Sequence, residues 1–303
     1  MFHRSLWVFC SALLLIASVV LSAQAADPTY LRRSVGAAKE KSDDLTTANS
    51  HYRPIFGIGD DDAQLVKGIV RFGELMVDPG GETKIVSYDK EEQVYFVVKG
   101  SGALQYAEER ISIKQDDFMY LPPGVRHGIL NTSSKALQVI VMGYAIPEGR
   151  IVPPTPKLML ANTDEVGLQI LGQHGPTTKF KLLMGNTRST RDRLAAAQQI
   201  TSLFLMDFAA GGTNIPHTHP AEEEIYYVLR GEGEMVAGGT AEKEARYACR
   251  EGDVFYFPPK TLIGFYSGAK EGQPHDLILA VRSLYLSPAA ARPAVNAGPL
   301  IPK

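Results

Sequence analysis

Residues 211–235 read GGTNIPHTHPAEEEIYYVLRGEGEM, and residues 80–104 read GGETKIVSYDKEEQVYFVVKGSGAL. The two stretches share one register, in which Gly100 answers Gly231 and Gly102 answers Gly233. Further along, Asp117-Phe118-Met119-Tyr120-Leu121-Pro122-Pro123 answers Asp253-Val254-Phe255-Tyr256-Phe257-Pro258-Pro259. A repeat this long implies two copies of one domain.

Around the repeats, short apolar or alternating runs recur between Gly, Pro, Asp and Asn. In the first half they are 68–77, 93–98, 103–106, 117–121 and 137–145. In the second half they are 180–184, 203–208, 224–229, 233–236, 254–257 and 276–283. Helical periodicity is scarce, so the fold class is all-β, of barrel or sandwich type. One exception is expected at 186–199, which reads as a loop with Arg188, Arg191 and Arg193 followed by a helical turn at Leu194-Ala195-Ala196-Ala197. The arginines either meet an anionic ligand or lie on a solvated loop.

The chain is expected to divide into a signal peptide (1–25), an arm with one short helix (26–54), a first barrel (55–146), a proline-rich linker (147–157), a second barrel (158–286) and a tail (287–303). His3 and Arg4 precede an apolar run from Leu6 to Leu21, and Ala23-Gln24-Ala25 resembles a cleavage site, which predicts export. Cys10 lies inside that run, so only Cys249 would remain, as a partly buried free thiol or an interchain link. The 31 basic and 33 acidic residues are interspersed, which argues against nucleic acid as a partner. After signal removal no run is apolar enough for a membrane span.

These residues resemble the cupin superfamily, and specifically a secreted two-domain bicupin with the architecture of germins and oxalate decarboxylases. The first family motif, G-x5-H-x-H-x3,4-E-x6-G, is matched by Gly211, His217, His219, Glu224 and Gly231. Of the second motif, G-x5-P-x-G-x2-H-x3-N, Gly252 and Pro258 are present, but Lys260 replaces the glycine and Ile263 the histidine. The resemblance covers roughly residues 55–285. It implies two tandem cupin β-barrels of jelly-roll type, and it leaves the reaction open because one barrel fold hosts many chemistries. It also implies a homo-oligomer.

Residues two apart in a strand face the same side, so His217 and His219 point together. Alternation does not choose among Glu222, Glu223 and Glu224, because Ile225, Tyr227 and Leu229 are as apolar as Tyr226 and Val228. The spacing to Gly231 selects Glu224. Two imidazoles and a carboxylate suit a divalent transition metal: Mn or Fe first, with Zn, Ni or Cu also compatible. Cupins usually add a second-motif histidine as fourth ligand, and Ile263 cannot ligate. The remaining set has the composition of a 2-His-1-carboxylate triad, which leaves positions open for substrate. Tyr256, Tyr266 and His275 are substitute donors or structural residues. Tyr226, in phase with Glu224, is a candidate catalytic hydrogen-bond donor.

In the first copy, Val86, Tyr88 and Gln93 stand at the three ligand positions, whereas Pro122, Gly124, His127 and Asn131 keep the second motif. That barrel is expected to be metal-free, with His127 either lining a pocket for an organic ligand or bonded structurally. Arg126 is expected to face outward. Asn131-Thr132-Ser133 also matches a glycosylation acceptor. Two functions follow from different classes. One is a secreted metalloenzyme of the dioxygenase or oxidoreductase type acting on a small oxygenated molecule. The other is a non-catalytic small-molecule-binding or storage-like bicupin with a decayed site.

Overall fold

Turn residues punctuate the apolar runs so closely that each run forms a strand of four to nine residues. The computed structural model describes residues 30–61, 66–172 and 174–285. The expected signal peptide (1–25), the start of the arm and the tail (287–303) lie outside the described residues. Among the described residues there is no α-helix, only strands and two three-residue 3-10 turns, at Val35–Ala37 and Thr163–Glu165.

The first half carries β1 (Leu31–Ser34), β2 (Ser50–Gly57), β3 (Ile69–Val77), β4 (Glu91–Lys99), β5 (Ser101–Tyr106), β6 (Glu109–Lys114), β7 (Asp117–Leu121), β8 (His127–Leu130) and β9 (Leu137–Ala145). The second carries β10 (Met159–Asn162), β11 (Thr178–Asn186), β12 (Leu194–Ala197), β13 (Ile200–Phe208), β14 (Glu222–Arg230), β15 (Glu232–Gly239), β16 (Glu244–Arg250), β17 (Asp253–Phe257), β18 (Ile263–Ser267) and β19 (Asp276–Leu284).

Two barrels result, each made of a large sheet and a three-stranded one. In the N-terminal barrel the order β10-β7-β4-β9-β3-β2 faces β6-β5-β8. In the C-terminal barrel β1-β17-β14-β19-β13-β11-β12 faces β16-β15-β18. The order is the same strand for strand, apart from the extra edge strand β12. The two copies expected from the repeat, and the jelly-roll type implied by the resemblance, are therefore observed.

The leading strand of each half completes the sheet of the other. β1 runs antiparallel to β17 with Leu31 opposite Tyr256 and Ser34 opposite Asp253. β10 runs antiparallel to β7 with Met159 opposite Tyr120 and Asn162 opposite Asp117. Sheet membership thus does not follow the segmentation read from sequence. The arm supplies a strand to the C-terminal sheet, and residues 159–162 belong to the N-terminal sheet. A four-residue strand carries too few side chains to signal which sheet it joins.

Three apolar clusters follow. One fills the N-terminal barrel around Tyr95, Leu104 and Val139. A second fills the C-terminal barrel around Phe208, Met235 and Phe265. The third lies between the barrels and includes Phe56, Phe72, Ile225, Tyr227 and Tyr256. Alternate residues of β14 therefore enter the barrel or the interface between barrels, and both faces are apolar. Each fully buried side chain of this size contributes about 1.5–3 kcal/mol.

Polar groups join the barrels reciprocally. Glu92 of β4 accepts hydrogen bonds from the backbone N–H groups of Gln198, Gln199 and Ile200, and from the Tyr120 hydroxyl. Glu223 of β14 accepts from the Gly68 N–H and from the Tyr256 and Ser283 hydroxyls. Burial pushes the Glu223 carboxyl up to about 7.

The helical turn expected at Leu194–Ala197 is instead β12, a parallel edge strand on β11 with Leu194 opposite Met184. Leu194, Ala196 and Ala197 are buried in the inter-barrel cluster, and this packing overrides the helix propensity of an alanine run. Asn131 is not an acceptor for glycans, because it is fully buried and its amide donates to the carbonyls of Val77 and Lys135. Arg126 is exposed.

Candidate metal centre

The chain reaches the centre through an unusual turn. Ile215 has φ of 45°, a conformation that β-branched residues rarely adopt. Its carbonyl accepts the Nδ1 proton of His217 at 3.0 Å. A carbonyl can only accept, so Nδ1 is protonated and the lone pair lies on Nε2. The His217 N–H and C=O then pair with the C=O and N–H of Ile263 at 2.9 and 2.8 Å. His219 is fixed two residues on by the Lys260 N–H, which donates to its carbonyl at 2.7 Å.

Glu224, the third residue of β14, approaches from the barrel wall and is 2% exposed. One donor atom from each of His217, His219 and Glu224 falls within 4.8 Å of the others. The two Nε2 atoms are 3.1 Å apart, and His219 Nε2 is 3.1 Å from Glu224 Oε2. Such separations match donors sharing one ion at bond lengths of about 2.1 Å. Neither Glu224 oxygen accepts a hydrogen bond although both are buried. A buried carboxylate without a donor is costly, and a cation at this point removes that cost. Burial also lowers the His217 pKa, which favours the neutral, ligating imidazole. The donor set therefore fits a divalent transition metal.

Gly231, the last glycine of the motif, turns the chain after β14 with φ of 92°. A Cβ there would lie 1.8 Å from Asp276 Oδ1, and that carboxylate accepts the Glu232 N–H.

The three donors open into a cavity of about 380 Å³. Phe180, Phe204, Met206, Leu171 and Leu182 form its apolar side, and Tyr226, Ser202, His174, Arg191 and Arg282 its polar side. Tyr226 lies on the same face as Glu224, and its hydroxyl oxygen accepts from Asn214 Nδ2 at 3.0 Å. Burial raises its pKa well above the usual value, so the phenol keeps its proton.

The substitute donors do not converge on this point. Tyr256 bonds Glu223 between the barrels, Tyr266 bonds Glu244 on the small sheet, and His275 bonds Asp207 at the surface. Ile263 packs as a buried aliphatic residue. The arginine cluster is split, since Arg191 lines the cavity while Arg193 pairs with Glu165.

Sequence reading missed His174, Ser202 and Arg282. His174 Nδ1 donates to the Asn214 carbonyl at 2.6 Å, and its ring centroid lies 5.0 Å from that of His217. Arg282 lies opposite Glu224 in the β14–β19 register, with Nη1 within 3.3 Å of both His219 ring nitrogens. A single arginine following the apolar run Leu277–Val281 of β19 was the available signal.

At the equivalent point of the N-terminal barrel, Val86 and His127 form the same two-way backbone bridge as His217 and Ile263. His127 is buried between Tyr88 and Tyr95, and its Nδ1 donates to the Val125 carbonyl. Arg71 of β3 enters this barrel, bonds Asp44 and Tyr88 at 2.9 and 3.1 Å, and lies 3.4 Å from Glu91. Opposite it stands Gly143, where a Cβ would come within 2.7 Å of the arginine side chain.

A family profile for the Cupin domain matches residues 73–143 and 204–268, one segment in each barrel. The chain is a bicupin of the cupin superfamily. The bicupin is 38% identical over 82 residues to germin-like protein subfamily 2 member 4 of Arabidopsis thaliana, a match spanning 27% of this chain and 37% of that protein. The chain therefore spans little more than a third of this relative's length. Its fold is similar to the putative glyoxylate induced protein of Pseudomonas aeruginosa, with a TM-score of 0.66 at 14% identity, over 87% of this chain and 93% of that one. It is also similar to the oxalate decarboxylase of Lactobacillus farciminis, with a TM-score of 0.61 at 14% identity, over 83% and 85% of the two chains.

Proposed function

We propose that the C-terminal barrel of this bicupin holds one divalent transition metal, Mn or Fe, on His217, His219 and Glu224, and acts as an oxygenase-type metalloenzyme on a small oxygenated molecule. The observation that carries this reading is the buried Glu224 carboxylate, which accepts no hydrogen bond and faces two imidazole nitrogens at the edge of a cavity. The bound metal would supply Lewis acidity and, if Fe or Mn, redox chemistry with oxygen.

The protein's own residues complete the site. Phe180, Phe204 and Met206 exclude water from one side of the cavity. Tyr226, its oxygen already engaged by Asn214, offers its hydroxyl proton to a substrate oxygen. The N-terminal barrel, with Arg71 in its interior, is the structural partner. The leading segment, with Ala23-Gln24-Ala25, supports export to a secreted or periplasmic destination.

A second reading, a non-catalytic binding or storage-like bicupin, is favoured by Ile263, which fills the fourth ligand position with packed aliphatic carbon. Metal content decides between them. Mature protein purified without chelators from Mn- or Fe-supplemented medium should carry metal that the His217→Ala/His219→Ala variant lacks. Equal content in both would reject the enzyme reading.

A further inference from the structure

Each barrel carries an arginine on its wall, buried Arg71 in the N-terminal barrel and part-buried Arg282 in the C-terminal one. Arg71 of β3 faces Gly143 of β9, whereas Arg282 of β19 faces Ser202 of β13. Their surroundings differ. Arg71 donates two hydrogen bonds to the Asp44 carboxylate and a third to Tyr88, lies 3.4 Å from Glu91, and stacks 4.4 Å above the Tyr88 ring. Among the described residues the Arg282 side chain faces Glu222, at 3.6 Å from its Nε, and the ring nitrogens of His219. Its Nε is buried without a hydrogen bond.

Resting on the metal-site reading, the geometry points to Arg282 as the anchor for the carboxylate of a substrate that also carries an apolar body. Three arguments support it. First, Arg191 and Arg282 line the cavity beside Glu224, with Asp192 3.9 Å from Arg191 and Glu222 3.6 Å from Arg282, so a divalent ion would tip the local charge to positive. A cationic cavity with low-dielectric walls concentrates anions. Second, a bound metal would take the His219 Nε2 lone pair that Arg282 Nη1 faces at 3.2 Å, which removes that acceptor from the guanidinium. Arg282 then keeps its planar donor edge for an incoming carboxylate, the acceptor it matches best. Third, a cavity of about 380 Å³ with an apolar side of Phe180, Phe204, Met206 and Leu182 is larger and greasier than a bare dianion requires. An aromatic or branched aliphatic monocarboxylate satisfies both sides.

The test measures binding to mature Mn(II)-loaded protein by calorimetry, using benzoate, its neutral isostere benzamide, and oxalate, with metal content determined on the same samples. Benzoate is expected to bind at least tenfold more tightly than benzamide and at least as tightly as oxalate. In Arg282→Met the benzoate preference should vanish with metal content unchanged, and Arg282→Lys should retain part of it. Equal binding of benzoate and benzamide by the wild type, which needs no variant, would overturn the proposal. So would a preference that survives in folded Arg282→Met, and oxalate binding tenfold tighter than benzoate would overturn the apolar body. Failure of the metal reading registers separately: a metal-free wild type that still prefers benzoate keeps the anion site, and a metal-loaded one without the preference loses it.

Discussion

His217 and Ile263 are locked opposite each other by two backbone hydrogen bonds, of 2.9 and 2.8 Å, and Val86 and His127 repeat the bridge in the other barrel. Each barrel keeps one histidine of this cross-strand pair, on opposite sides. In the C-terminal barrel the retained histidine has a second imidazole and a glutamate beside it. In the N-terminal barrel the retained histidine is alone, and Arg71 supplies the internal positive charge.

The bridge predicts the effect of restoring the missing imidazole. Ile263→His places a ring beside His217 on the cavity side of the wall. Mn(II) binding, measured by equilibrium dialysis, should tighten at least tenfold. Unchanged affinity would mean that residue 263 does not face the ion.

Burial pushes the His127 pKa down to about 4 from an ordinary 6.5. A folded-state value below the unfolded one means that unfolding takes up a proton. The stabilisation is complete above pH 6.5 and is lost as pH falls toward 4, by up to about 3 kcal/mol. Thermal melts at pH 7 and pH 4.5 should show a smaller acid-induced drop for His127→Gln than for wild type.

Lys260 sits at φ of 68°, where the N-terminal barrel has Gly124 at 77°. Lys260→Gly relieves the left-handed strain, offset in part by the greater freedom of unfolded glycine, for a gain of up to about 1 kcal/mol. Urea unfolding checks the gain, and metal content should not change.

Glu92 is fully buried and accepts from three backbone N–H groups across the inter-barrel boundary. Glu92→Ala strands those donors and should cost at least about 3 kcal/mol. Denaturant unfolding of this variant should show the loss without any change in metal content.

Much of this was legible in the sequence because it rests on fixed spacing. The two glycines after each strand set the repeat, and the interval from Glu224 to Gly231 selected, where alternation was silent, the carboxylate that lies within 4.8 Å of both imidazoles. Alternation failed for a physical reason, since Ile225 and Tyr227 are buried against the other barrel as firmly as Tyr226 and Val228 are buried inside their own. The strand exchange of Leu31–Ser34 and Met159–Asn162 left no signal, because four residues in an edge strand take their place from partners far along the chain. Arg282 was missed for the same reason. It lies 63 residues beyond His219, and only the β14–β19 register brings it beside Glu224. His174 arrives from a loop whose hydrogen bond to Asn214 no local pattern announces.

The most direct measurement is the metal content of mature protein, by plasma emission spectroscopy, after purification without chelators from Mn- and Fe-supplemented cultures. The account predicts about one Mn or Fe per chain in wild type and next to none in His217→Ala/His219→Ala. Equal, near-zero content in the two proteins would contradict it.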